Sequence, residues 1–352
     1  VKKLFQTITL VLLSSIVLVS CSKLKLSPKA SVSSSTPSST PSTSTQPSPE
    51  ETKLLKKMQE VEKYNAYVGL NNLITGSIDN VTNRYFEQLG MEESPKIGKN
   101  FSFTMLSISS TVKSNLDKYL AYTDKKPEFT EIDPIVVKLK PVLKDLIAVL
   151  SEGHEYYDIK GYVDDQFAKS KELHTEILKI TQAYEPIRNE FLDAMYVLGE
   201  EQTQITLKEL QDEDQMIRYS ALQLILSAEA VDNEMADQDI AADNVLNLNL
   251  EKYKAKYDVF VESMNKLNEY AQDEARIKKE GIDSYSLEQF VKKVKELKVS
   301  ATNIIDRVNK KKKVDDFNLQ SSFFRETQEG TPENYGKNLG QTIDYYNKMI
   351  NK

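Results

Sequence analysis

Few side chains in this sequence are equipped for chemistry. The 352 residues include two histidines, His154 and His174, and one cysteine, Cys21. A zinc-protease helix needs two histidines four residues apart, with a glutamate after the first, so that both imidazoles face one metal. His154-Glu155-Tyr156-Tyr157-Asp158 ends in aspartate instead, and a metal there would need carboxylates from elsewhere. The sequence carries no Gly-x-Ser-x-Gly, phosphate-loop or dinucleotide fingerprint. The best candidates for acid–base work are Asp164 and Asp165, close to Tyr156, Tyr157 and Tyr162. In a deep cleft with a raised pKa such carboxylates are catalytic candidates; at an exposed helix start they cap backbone N–H groups and complement the dipole. The three tyrosines lie between and beside Gly153 and Gly161, where their rings either line a small ligand groove or pack together. His174 adjoins Leu173 of an apolar seam and is expected at its packed boundary. Asp232, Glu234, Asp237, Asp239 and Asp243 crowd a short stretch without the glycine and final glutamate of a calcium loop. They are expected to form a solvated acidic connection. Neither a metal nor a cofactor is expected.

Cys21 has a different use. Lys2 and Lys3 precede an apolar run from Ile8 to Val19, broken only by Thr9, Ser14 and Ser15. That run is too short to span a bilayer comfortably and matches the apolar part of an export signal. Leu18-Val19-Ser20-Cys21 then resembles the lipobox of bacterial lipoproteins. The resemblance implies diacylglycerol on the Cys21 thiol and cleavage just before it, with Leu18 filling an apolar peptidase pocket and Ser20 small enough to admit the enzyme. Val1 is read as an alternative start. Residue 22 is Ser rather than Asp, which in an enterobacterium implies the outer membrane; in another host the inner membrane remains open.

Between the anchor and the body lies a stalk, residues 21–50. From Ser31 to Thr45, 12 of 15 residues are Ser or Thr, with Pro37 and Pro41 among them. Such composition buries too little apolar surface to offset its ordering entropy and predicts a disordered spacer. Its reach is roughly 30 Å. Lys23, Lys25 and Lys29 lie near the anchor, whereas residues 50–352 carry 41 basic against 53 acidic side chains, a balance of −12. That acidity argues against nucleic acid as a partner.

The body, residues 51–352, reads as helix throughout. Apolar residues recur in alternating steps of three and four at Leu173, Ile177, Ile180, Tyr184, Ile187, Phe191, Ala194 and Leu198, and again from Leu246 to Ala271. Ile217–Met235 and Leu287–Val308 repeat the pattern. A period near 3.5 puts one apolar stripe on each helix. Breaks are expected at 90–100, 123–134, 232–243 and 281–286, with Ser286 as an N-cap and Gln289 completing a capping box. Thr331 before Pro332 should cap the last helix, and Pro186 should kink its helix without ending it. The expected fold is all-α: an elongated antiparallel bundle of seven to eight long helices, with the first and last packed together.

One segment points to a family. Glu155-Tyr156-Tyr157, Lys160, Tyr162, Asp164-Asp165, Phe167-Ala168-Lys169, Lys171 and Leu173-His174, with Tyr64-Asn65-Ala66-Tyr67 near the start, resemble the YiiG-like bacterial lipoproteins. The resemblance covers nearly all of residues 60–350. It implies an all-helical extracytoplasmic domain and carries over no reaction.

The functional expectation is a lipid-anchored, extracytoplasmic and non-enzymatic helical module that binds or scaffolds an envelope protein. The alternatives are an envelope-polymer enzyme working through carboxylates such as Asp164 and Asp165, and small-ligand capture among the tyrosines.

Overall fold

The computed structural model describes residues 48–98 and 101–351. The export signal and anchor at Leu18, Val19, Ser20 and Cys21, and the stalk up to residue 47, lie outside the described residues. The body is all-α, and seven of its helices have 19 residues or more among those described. Along the chain the described residues divide into two compact units, with the boundary between Gly199 and Glu200.

The N-terminal unit begins with α1, Pro49–Leu73. Ser48 caps it: its hydroxyl accepts from the Glu51 N–H at 3.2 Å while the Glu51 carboxylate accepts from the Ser48 N–H at 2.8 Å. A π turn, Ile74–Ile78, carries α1 into α2, Asp79–Leu89. Gly90, at φ 81°, ends α2 in a backbone conformation that favours glycine. After an irregular stretch come α3, Ser110–Leu120, which packs on α1, then α4, Asp133–Asp158, and the one-turn α5, Gly161–Asp164. The helix α6, Ala168–Asp212, begins in this unit and crosses the boundary. It runs through Pro186, as the unbroken periodicity requires. The core gathers Tyr67, Leu70, Ile74, Ile78, Tyr85, Leu139, Leu143, Leu146, Tyr157 and Ile177.

In the C-terminal unit four helices close a ring: α7 (Met216–Asp237) packs on α8 (Leu250–Ala271), α8 on α10 (Ser284–Asn309), α10 on α13 (Pro332–Ile350), and α13 back on α7. The short α9 (Glu274–Glu280), α11 (Asp316–Leu319) and α12 (Ser322–Thr327) complete it. All six α7 seam residues, Ile217, Ala221, Leu224, Ala228, Val231 and Met235, are buried. Two buried tyrosines tie the ring. Tyr253 of α8 donates to the Ala301 carbonyl of α10 at 3.0 Å, and Tyr335 of α13 to the Ala228 carbonyl of α7 at 2.8 Å. A hydroxyl so deep would be costly without its acceptor.

Several expected boundaries move. Thr331 caps α13 with Pro332 at its first position, but α10 starts earlier than expected. Asp283 is its N-cap, and Ser286 instead donates to Asp283 from both its N–H (2.9 Å) and its hydroxyl (2.6 Å). The acidic stretch is not wholly a connection, because α7 continues through Asp232 and Glu234 to Asp237. The first and last helices each pack within their own unit, α1 on α3, and α13 on α10 and α7.

Candidate functional site

The segment singled out by its tyrosines and aspartates joins the end of α4 to the start of α6. Its backbone is held in unusual conformations: Lys160, Gln166 and Phe167 have φ of 55°, 56° and 68°, where a side chain costs about 1–3 kcal/mol each. Gly161 has no such freedom to spare, since a β-carbon there would come 2.7 Å from the Tyr156 ring. Strain of this kind persists only where the surroundings over-determine it.

Those surroundings are aromatic. Tyr156, Tyr157 and Tyr162 are buried. Tyr162 stacks on Phe167 with centroids 5.3 Å apart, Phe101 meets Tyr162 edge-on at 5.3 Å, and Phe103 meets Tyr157 at 4.9 Å. Tyr157 shares a 2.7 Å hydrogen bond with Ser170. The rings therefore pack together rather than line a groove.

Asp165 acts as a local clamp. One oxygen accepts from the Tyr156 hydroxyl at 2.9 Å and the other from the Lys169 N–H at 3.0 Å. Desolvation is the largest single influence and works against its ionised form, but the Lys169 N–H, the Tyr156 hydroxyl and the N–H groups of Phe167 and Ala168 together outweigh it and hold the carboxyl below its usual range. The Lys169 ammonium pairs with Glu152 at 2.7 Å. Asp164, at the end of α5, is exposed. The two aspartates thus divide, one committed to a helix start and one in solvent.

His174 is fully buried rather than at a boundary. Its Nε2 lies 2.8 Å from the Glu92 carbonyl oxygen, which can only accept, so Nε2 carries the proton. Its Nδ1, 3.0 Å from the Tyr85 hydroxyl, is then the acceptor. Both ring nitrogens are spent on internal partners. His154 is engaged too, with Nδ1 at 2.8 Å from the Met105 carbonyl. No group of three or more His, Cys, Asp or Glu side chains is placed to hold a metal among the described residues.

Two charged clusters escaped the sequence reading, and a third involves Asp232, which was expected in a solvated connection and lies instead in the desolvated part of α7. Lys63 is fully buried, pairs with Asp133 at 2.6 Å, and donates to the carbonyls of Lys125 (2.8 Å) and Pro127 (3.0 Å). Tyr67 donates to the other Asp133 oxygen. The signal was present as a lysine one turn before Tyr67 on an apolar face. Arg188 of α6 binds Asp79, which also accepts from Tyr184 at 3.1 Å, just beyond the π turn. In the C-terminal unit, Glu229 and Asp232 lie one turn apart on α7. Burial, and secondarily the nearby charges of Asp232 and Glu200, push the Glu229 carboxyl up to about 8. Burial pushes Asp232 up to about 6. The Glu229 stem keeps some surface, yet its Oε1 is sealed from solvent with no hydrogen-bond partner among the described residues.

The described residues thus define an all-helical protein whose distinctive tyrosine–aspartate segment is a packed, strained joint between helices. The chain belongs to the DUF3829 family, a protein of unknown function, whose family profile matches residues 58–348. It is similar to the uncharacterized protein YiiG of Escherichia coli (strain K12), with 23% identity over 185 residues, 52% of this chain and 53% of that one. The match therefore spans about half the length of that relative. No solved structure matches the chain.

Proposed function

We propose that this protein is an extracytoplasmic lipoprotein, tethered through lipid on Cys21, whose helical body binds or scaffolds an envelope protein and performs no catalytic step. The observation that carries the reading is the ordered run of basic start, apolar stretch and Leu18-Val19-Ser20-Cys21, followed at once by a Ser/Thr/Pro-rich spacer. Two acyl chains would hold it stably where one would be marginal. The inner or outer membrane would then be its address. Recognition through helix faces is supported by the state of the polar groups in the tyrosine–aspartate segment. Tyr156, Tyr157, Asp165 and His174 are committed to internal hydrogen bonds, which leaves little there for a small ligand or a polymer substrate.

Metabolic labelling with an alkyne fatty acid tests the tether. The wild type should incorporate label and Cys21→Ala should lose it while accumulating the longer precursor; equal labelling of both would overturn the anchor. Proximity cross-linking in the native host tests the partner. One envelope protein should be enriched with wild type and depleted with Cys21→Ala, and a wild type that enriches nothing above background would overturn the scaffold reading.

A further inference from the structure

The body is acidic overall, but one stretch of the C-terminal unit reverses the sign. Residues 307–325 hold six basic side chains, Arg307, Lys310 to Lys313 and Arg325, against Asp315 and Asp316. Lys310 pairs with Asp306 at 2.8 Å. Lys311, Lys312 and Lys313 are exposed and pair with no carboxylate among the described residues. A few residues further along the chain come two of the most exposed aromatic rings among the described residues, Phe317 at 59% and Phe323 at 65%. They flank Phe324, with ring centroids 4.8 and 5.8 Å away. Phenyl rings left in water at this exposure forgo the burial that the seam residues of α7 achieve.

The patch is held on fixed backbone rather than hanging loose. Arg307 is buried and donates to the Lys312 carbonyl at 3.0 Å and to the Lys313 carbonyl at 3.3 Å. The same guanidinium donates to the Glu329 carbonyl at 2.6 Å, so one side chain fastens the lysine run to the segment carrying the phenylalanines. Arg325 donates to the Leu319 carbonyl at 2.8 Å, bracing α12 against α11.

We propose that Lys311–Lys313 with Phe317 and Phe323 form a docking surface for an anionic phospholipid bilayer, a second contact with the membrane that does not need the lipid on Cys21. The chemistry matches in sign and arrangement. Lysine ammonium groups on flexible stems sit at headgroup level, and adjacent aromatic rings enter the acyl boundary. A membrane contact also answers why a lysine run and exposed rings follow one another so closely in an otherwise acidic body.

The chain contains no tryptophan, so Phe323→Trp supplies a single local reporter. The test uses the mature chain, residues 21–352, with Cys21→Ala so that no acyl chain contributes; it contains every described residue. Mixing with phosphatidylcholine vesicles containing phosphatidylglycerol should shift the indole emission to the blue, and brominated lipid should quench it. Vesicles of phosphatidylcholine alone should do neither. Replacing Lys311, Lys312 and Lys313 by Gln should weaken partition on the order of 100-fold, each lysine contributing about one surface charge's worth of attraction. The proposal is overturned by no shift at position 323, by an equal shift in a Tyr196→Trp control, or by equal binding without anionic lipid. A shift that appears without lipid and grows with protein concentration would also overturn it, by assigning the patch to a second copy of the chain.

Discussion

The same residue types do opposite work in this protein depending on what surrounds them. Asp164 and Asp165 are neighbours, yet only Asp165 meets backbone N–H groups and a tyrosine hydroxyl. Tyr157 and Ser170 satisfy one another inside the core. Tyr157→Phe removes one partner and leaves the buried Ser170 hydroxyl alone, so it should cost about 1–2 kcal/mol in urea unfolding followed by circular dichroism. Asp164→Ala, in solvent, should change stability by no more than about 0.5 kcal/mol. If Asp164→Ala were the more damaging, the segment would hold an interaction other than packing and capping. Why His174 was misplaced on sequence grounds is also a residue-scale matter. It follows the seam residue Leu173, and one step of 100° around a helix takes a side chain off a narrow stripe. Here a third surface, the Tyr85 ring and the Glu92 carbonyl, covers that next position, and no local pattern announces a partner about 80 residues away.

At the scale of elements, what was legible depended on whether a helix end was closed by its own sequence. Thr331-Pro332 closes α13 locally and could be read directly. Long helices were legible because their stripes repeat, and that periodicity kept Pro186 inside its helix. The acidic residues after Val231 were assigned to a connection from composition, although the seam residue Met235 carries the helix past them. The start of α7 is marked by its seam but by no cap of its own. Its N-cap, Gln215, makes no side-chain cap bond. The cap comes from α9: buried Glu280 accepts from the Ile217 N–H at 2.9 and 3.1 Å and from the Arg218 N–H at 3.3 Å. A carboxylate at a helix start satisfies orphan donors and the dipole together. Glu280→Ala should therefore cost about 2–3 kcal/mol, more than the roughly 1 kcal/mol expected for the ordinary cap in Asp283→Ala. Glu280→Gln, which keeps an acceptor, should fall between. Equal losses for Glu280→Ala and Asp283→Ala in thermal or urea unfolding would remove the distinction between a remote and a local cap.

At the scale of the whole molecule, two populations of carboxylates pull stability in opposite directions with pH. Exposed ones such as Asp214, held down by hydrogen bonds from Lys279 and Arg276, stabilise the fold above their unfolded pKa and lose that contribution as pH falls. Buried ones behave the other way. Glu229 moves from an ordinary 4.5 to about 8 and Asp232 from 3.8 to about 6, so the folded state binds more protons than the unfolded one between those limits. Their favourable state is fully present below the unfolded values and is lost as pH rises through the folded ones. Each titrating group contributes a slope of up to about 1.4 kcal/mol per pH unit within its window. Stability should therefore peak near mild acidity, at about pH 4–5, and decline toward pH 8. Glu229→Gln keeps the shape without the charge and should remove most of the decline above pH 6, leaving the Asp232 part below it. Calorimetric midpoints measured across pH 4 to 9 for both chains decide the matter, since a profile that is flat from pH 5 to 8, or falls equally steeply in Glu229→Gln, would mean that Glu229 is not the buried acid that sets the decline.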